Sequence, residues 1–134
     1  MKIINSKTHG ILDYSIVFLL SISPYLFDMD DDSIHCRLLM ITGLLLLLCS
    51  LLTDFEFFLV KIFSFKTHLK IDFALGAFLA LAPFIFDLSG KSIVPHVFLG
   101  IAVCTLSLLT KKDNQIVKQE NYEGNPIQKE LQEI

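Results

Sequence analysis

The chain has 134 residues, 53% of them hydrophobic and only 19% charged, with a formal net charge of −3. A soluble domain typically holds about 45–50% apolar residues, glycine included, so this balance excludes an ordinary water-facing surface and favours a membrane protein. The acidic residues lie mostly in one loop and the tail, which excludes the basic face that a nucleic-acid binder needs.

In chain order, apolar runs cover 10–27, 38–53, 69–86 and 93–110. A membrane helix needs about 20 mostly apolar residues, and each run reaches that length with its flanks. The first run has features of a secretion signal, with Lys2 and Lys7 ahead of it and Ser-Ile-Ser near its end. Asp13 and Tyr14 break its core, and the same pattern returns in mid-chain, so it is expected to be retained. Cys36, Cys49 and Cys104 are odd in number and two lie inside apolar runs, so they read as small packing residues rather than a disulfide framework or a paired-cysteine metal knuckle.

The chain repeats itself. Lys7, Thr8, His9, Asp13, Pro24 and Asp28 recur roughly sixty residues later as Lys66, Thr67, His68, Asp72, Pro83 and Asp87. Gly43 aligns with Gly100, and Ser-Leu-Leu-Thr at 50–53 returns at 107–110. Each unit crosses twice, so both share one orientation, as in parallel repeats related by an axis along the membrane normal. The expected fold is all-α: a four-helix transmembrane bundle of two tandem helical hairpins, 6–53 and 64–110, related by a pseudo-twofold axis. Residues 1–110 form the membrane domain, and 111–134 form a polar, flexible cytoplasmic tail.

Nine of the eleven Lys and Arg residues lie before the first helix, around the second connection or in the tail. Basic flanks stay cytoplasmic, so both termini are expected inside. Between the hairpins, Phe57, Phe58, Ile62 and Phe65 stand among charges, as in a segment lying in the headgroup layer.

At Ser23, Pro24 and Tyr25, and again at Ala82, Pro83 and Phe84, the chain resembles the SPW-repeat family of small bacterial membrane proteins. Tyr25 and Phe84 stand where that motif has tryptophan, and Ala82 replaces its serine. The resemblance implies a paired-hairpin fold and a membrane address, and no established activity. On physical grounds, a late proline ends or kinks a helix, and the aromatic side chains after it suit headgroup depth.

The candidate ion or proton site is His9, Asp13, His68 and Asp72. Each His/Asp pair is spaced i,i+4 and so shares a helix face. Val17, Ser21 and Pro24 continue that face in one helix, and Gly76, Ala80 and Pro83 in the other. Small residues mark helix contacts in membranes, so helices one and three are expected to meet through Ser21, Gly76 and Ala80. Thr8 and Thr67 are expected as N-caps. Each Asp is expected to bond its own His, either as helix-start scaffolding or as a proton or metal site; imidazole and carboxylate both suit divalent ions. His96 has Leu39 as its counterpart, so a symmetric site using it is not expected.

No serine-hydrolase, zincin, P-loop or dinucleotide signature occurs, and no catalytic residue is assigned. The leading expectation is a non-enzymatic structural or accessory component of the bacterial inner membrane. Its surroundings are the lipid bilayer, with self-association or a membrane-protein partner, no nucleic acid and no cofactor. The alternative is a proton or divalent-metal transporter or channel subunit using the repeated His/Asp pairs.

Overall fold

A computed structural model describes residues 3–30, 33–53, 62, 64–88 and 90–111. The tail beyond 111 and most of the connection between the hairpins lie outside the described residues, as does the centre of the first acidic loop. Four helices follow in order: α1 (Ser6–Leu26), α2 (Ile34–Leu51), α3 (Phe65–Ile85) and α4 (Ile93–Leu109), the last preceded by a 3-10 turn at Gly90–Ser92. This is the expected all-α architecture. At about 1.5 Å per residue, the 21-residue α1 and α3 are about 32 Å long, matching a hydrocarbon core of about 30 Å. All four helices, α4 together with its 3-10 turn, are long and apolar enough to cross a membrane.

The helix starts lie earlier than the apolar runs suggest. Asn5 caps α1 by accepting from the Thr8 N–H at 2.8 Å, and Ser64 caps α3 by accepting from the Thr67 N–H at 3.3 Å. Thr8 and Thr67 are therefore third-position residues, not caps. The Asn and Ser side chains three residues upstream already take the N–H groups that open the helix. Ser33 caps α2 in the same way through the Cys36 N–H.

The repeated Pro-aromatic-x-Phe-Asp segments end α1 and α3. Asp28 and Asp87 both adopt φ = 49°, the left-handed conformation that closes many helices. The Met29 N–H reaches back to the Pro24 carbonyl at 2.9 Å, and the Leu88 N–H to that of Pro83 at 2.8 Å. This 6→1 bond satisfies a carbonyl that the finished helix would otherwise leave open. Aspartate tolerates left-handed backbone better than most side chains, so the recurrence of Asp28 and Asp87 has a backbone cause.

The most extensive packing is within hairpins, α3 on α4 and then α1 on α2, with smaller contacts of α2 on α3 and of α1 on α4. Leu20, Leu39, Leu46, Leu79, Leu99 and Val103 fill the shared core. Outward, Phe18, Leu44, Phe98 and Leu108 are exposed. Helices apolar on both faces are the pattern of membrane spans.

Gly76 and Ala80 do not join α3 to α1. A Cβ on Gly100 would lie 2.5 Å from the Ala80 nitrogen and 2.7 Å from the Gly76 carbonyl oxygen, so these small residues let α3 and α4 touch backbone to backbone. Ser21 lies along a shallow groove with Gly43 and other α2 residues, its hydroxyl bonded to the Val17 carbonyl. The small-residue rule held for helix contact, but the neighbour is the hairpin partner: a short loop leaves α4 beside α3, and only glycine-sized faces fit there.

Candidate functional site

α1 and α3 start at the same end of the bundle, where α2 and α4 finish. Just outside α1, the N–H groups of Ile3 and Ile4 donate to the Leu109 carbonyl at 3.0 and 3.2 Å, and the Lys111 N–H donates to Ile4 at 2.9 Å. The other hairpin junction has a matching bond, from the Ile62 N–H to the Leu52 carbonyl at 3.0 Å. These links hold Thr110, which ends the second hairpin, beside α1, and Thr53, which ends the first, beside α3.

His9, Asp13, His68 and Asp72 come together at this end. Each offers a ligand-type atom, all within 4.8 Å of one another, and all four residues are buried. The pairs are interleaved rather than separate. His68 Nε2 lies 2.9 Å from Oδ2 of both Asp13 and Asp72. His9 Nε2 lies 3.3 Å from Oδ2 of Asp13 and 3.2 Å from that of Asp72. Own-pair bonding is thus only half of the arrangement. Facing helices at equal depth bring each carboxylate as near to the other hairpin's imidazole as to its own.

The far ring nitrogens determine what the near ones can do. His9 Nδ1 is 2.9 Å from the Thr110 hydroxyl and His68 Nδ1 is 3.1 Å from that of Thr53. Each hydroxyl donates its only proton to the carbonyl four residues back, Thr110 to Leu106 and Thr53 to Cys49, at 2.6 Å. Neither has a proton left for imidazole, so each accepts, and both rings carry hydrogen on Nδ1. Cys49 Sγ, 3.3 Å away, shares the His68 Nδ1 side. In neutral rings the Nε2 atoms are then lone-pair acceptors, yet they lie 3.2 Å from each other and face two carboxylates. Four acceptors converge on one point. Such a group needs protons between its members, on Nε2 or on a carboxyl, or a metal cation at its centre.

The surroundings are closed and asymmetric. The Ser50 hydroxyl donates to Asp13 Oδ2 at 3.1 Å, whereas its counterpart Ser107 donates to the Leu69 carbonyl. Asp72 Oδ1 is buried without a hydrogen-bond partner among the described residues. Phe65 covers the rings, edge-on to His9 at 5.6 Å and stacked on His68 at 6.0 Å. It is only 5% exposed and so is no headgroup anchor. Ile62 is 61% exposed, while Phe57 and Phe58 lie outside the described residues.

Ser23, Pro24, Tyr25 and Ala82, Pro83, Phe84 lie toward the opposite end, about 22 Å along each helix from the histidines. Ser23, Pro24, Ala82 and Pro83 are buried, whereas Tyr25 and Phe84 are 78% and 77% exposed. That exposure suits aromatic anchors at a membrane surface. Sequence reasoning missed Thr53, Thr110, Phe65 and the approach of His35 to His96, whose rings meet edge to face at 6.5 Å. The repeated Ser-Leu-Leu-Thr segments carried a signal for the threonines; nothing marked Phe65, whose counterpart is Ser6.

No curated protein and no solved structure is significantly similar to the chain. The SPW repeat domain matches residues 7–110, a stretch that runs through all four helices and includes the whole His/Asp cluster with both threonines, and this small membrane protein belongs to the SPW repeat family.

Proposed function

We propose that the protein is a non-enzymatic structural or accessory component of the bacterial inner membrane whose two hairpins are clasped by the His9/Asp13/His68/Asp72 cluster. The carrying observation is the interleaving itself: each carboxylate reaches an imidazole of the other hairpin, and each imidazole is oriented by the threonine that ends the other hairpin. These reciprocal contacts support a pseudo-twofold axis along the membrane normal. Burial supports a clasp over catalysis or conduction. The cluster residues are 0–4% exposed, and the surface grooves at Ile11 and Phe18 and at Phe98 and Ile101 are lined by other side chains.

In this reading both termini are cytoplasmic, with the cluster near the inner surface, because the basic residues concentrate at that end. Lipid covers the exposed apolar faces, and self-association or a membrane-protein partner uses part of them.

A double-mutant cycle on the full chain in detergent tests the clasp. His9→Ala and Asp72→Ala, on different hairpins, should show a coupling of about 1–3 kcal/mol in unfolding. Additivity within about 0.5 kcal/mol would show that the hairpins are held together elsewhere.

A further inference from the structure

We propose that the clasp holds one divalent transition-metal cation of the zinc class, ligated by Nε2 of His9 and His68 and by Oδ2 of Asp13 and Asp72. The inference rests on the clasp reading and names what occupies its centre.

Geometry carries it. A tetrahedral zinc site with bonds of about 2.0–2.1 Å has ligand-to-ligand edges of about 3.3–3.4 Å. Five of the six edges are close to these lengths, 3.2 Å between the two Nε2 atoms, 3.3 and 3.2 Å from His9 to the two carboxylates, and 2.9 Å twice from His68, and the sixth, between the two carboxylate oxygens, lies within 4.8 Å. A cation at the centre would open the two shortest by a few tenths of an ångström. Two helices separated by roughly sixty residues of sequence thus bring four ligand atoms close enough to share one cation, on which the two carboxylates would close.

The outer shell points the same way. Metal-bound histidines generally donate their second ring N–H to a neighbouring acceptor, which fixes the tautomer and leaves the other nitrogen to bind. Thr110 and Thr53 do this for His9 and His68, and Ser50 supports the Asp13 carboxylate. Charge also balances. Two carboxylates and one divalent cation sum to zero with both imidazoles neutral, which suits a site buried among apolar helices, where net charge is costly. Mixed imidazole and carboxylate donors select zinc or cobalt(II) over the all-oxygen sites preferred by calcium and magnesium. Asp72 Oδ1, buried with no hydrogen-bond partner among the described residues, has no such bond to give up to a cation.

The experiment uses full-length protein purified in detergent without a polyhistidine tag, stripped of metal and titrated with Co2+. Expected is the intense visible absorption of four-coordinate Co2+, saturating at one cation per chain and displaced by Zn2+. His9→Gln and His68→Gln should abolish it, whereas His35→Gln and His96→Gln should leave it intact. Should the ligand variants fail to fold, Thr53→Val and Thr110→Val serve instead and should weaken Co2+ binding by about 10–100-fold. Absence of the band in the unmodified protein, or binding indifferent to both the ligand and the threonine changes, overturns the proposal. If no metal binds while the His9/Asp72 coupling persists, the metal inference fails and the clasp stands with two protons at its centre.

Discussion

The two hairpins share a repeated pattern of residues and pack differently. In the first, Val17 and Ser21 of α1 lie along Gly43 of α2, where an added Cβ would meet Leu20 at 3.3 Å and the Val17 carbonyl oxygen at 3.9 Å. In the second, Gly76 and Ala80 face Gly100, and the backbones themselves touch. A Cβ at Gly76, the counterpart of Val17, would lie 2.9 Å from the Gly100 carbonyl oxygen, so the close contact of α3 with α4 requires glycine where the first hairpin has valine. The same hairpin carries Phe65 over the histidines where the first has Ser6, while the first alone has a serine bonded to its aspartate. One hairpin is built by close helix contact and ring cover, the other by hydrogen bonding to the cluster.

The glycine pair should give the largest difference between the hairpins. Gly100→Ala forces a Cβ to within 2.5–2.8 Å of α3 backbone atoms, which side-chain motion cannot relieve. It should cost about 1–3 kcal/mol, the usual range for overpacking. Gly43→Ala meets Leu20 Cβ at 3.3 Å, a contact that a shift of a few tenths of an ångström relieves, and should cost under about 1 kcal/mol, with the residue's better helix propensity offsetting part of that. Thermal unfolding of the two variants in one detergent reads the difference. Equal losses would mean that the hairpins pack alike.

The serine pair gives a smaller contrast. Ser50→Ala removes a hydrogen bond to a buried carboxylate, a class worth about 1.5–3 kcal/mol, and Ser107→Ala removes one to a neutral carbonyl, worth about 0.5–1.5 kcal/mol. Ser50→Ala should therefore be the more destabilising of the two, by thermal unfolding. The reverse order would assign the cluster's support to the second hairpin.

Much of this was legible in the chain. Hydrophobic run length gave four spans, and the recurrence of His9, Asp13 and Pro24 as His68, Asp72 and Pro83 gave two hairpins. The i,i+4 spacing put each His and Asp on one face because that follows from helix geometry alone. What spacing cannot encode is which helix lies opposite. That depends on how tightly each hairpin closes, so the interleaving of the two pairs, the displacement of Gly76 and Ala80 onto α4 and the pairing of His35 with His96 were not legible. Thr8 and Thr67 looked like caps because the apolar run starts after them; Asn5 and Ser64, three residues earlier, hold that role because a helix opens where its first N–H groups find acceptors, not where its apolar face begins.

In the proposed site, His9 and His68 point Nε2 at a single shared cation while their Nδ1 protons are held by Thr110 and Thr53. Nitrogen-15 NMR of histidine-labelled protein, with and without one equivalent of Zn2+, tests it most directly. The account predicts two rings protonated on Nδ1 whose Nε2 resonances alone move to metal-bound values, and both assignments should disappear in His9→Gln and His68→Gln. Rings protonated on Nε2 in the presence of zinc, or a zinc response confined to His35 and His96, would contradict it.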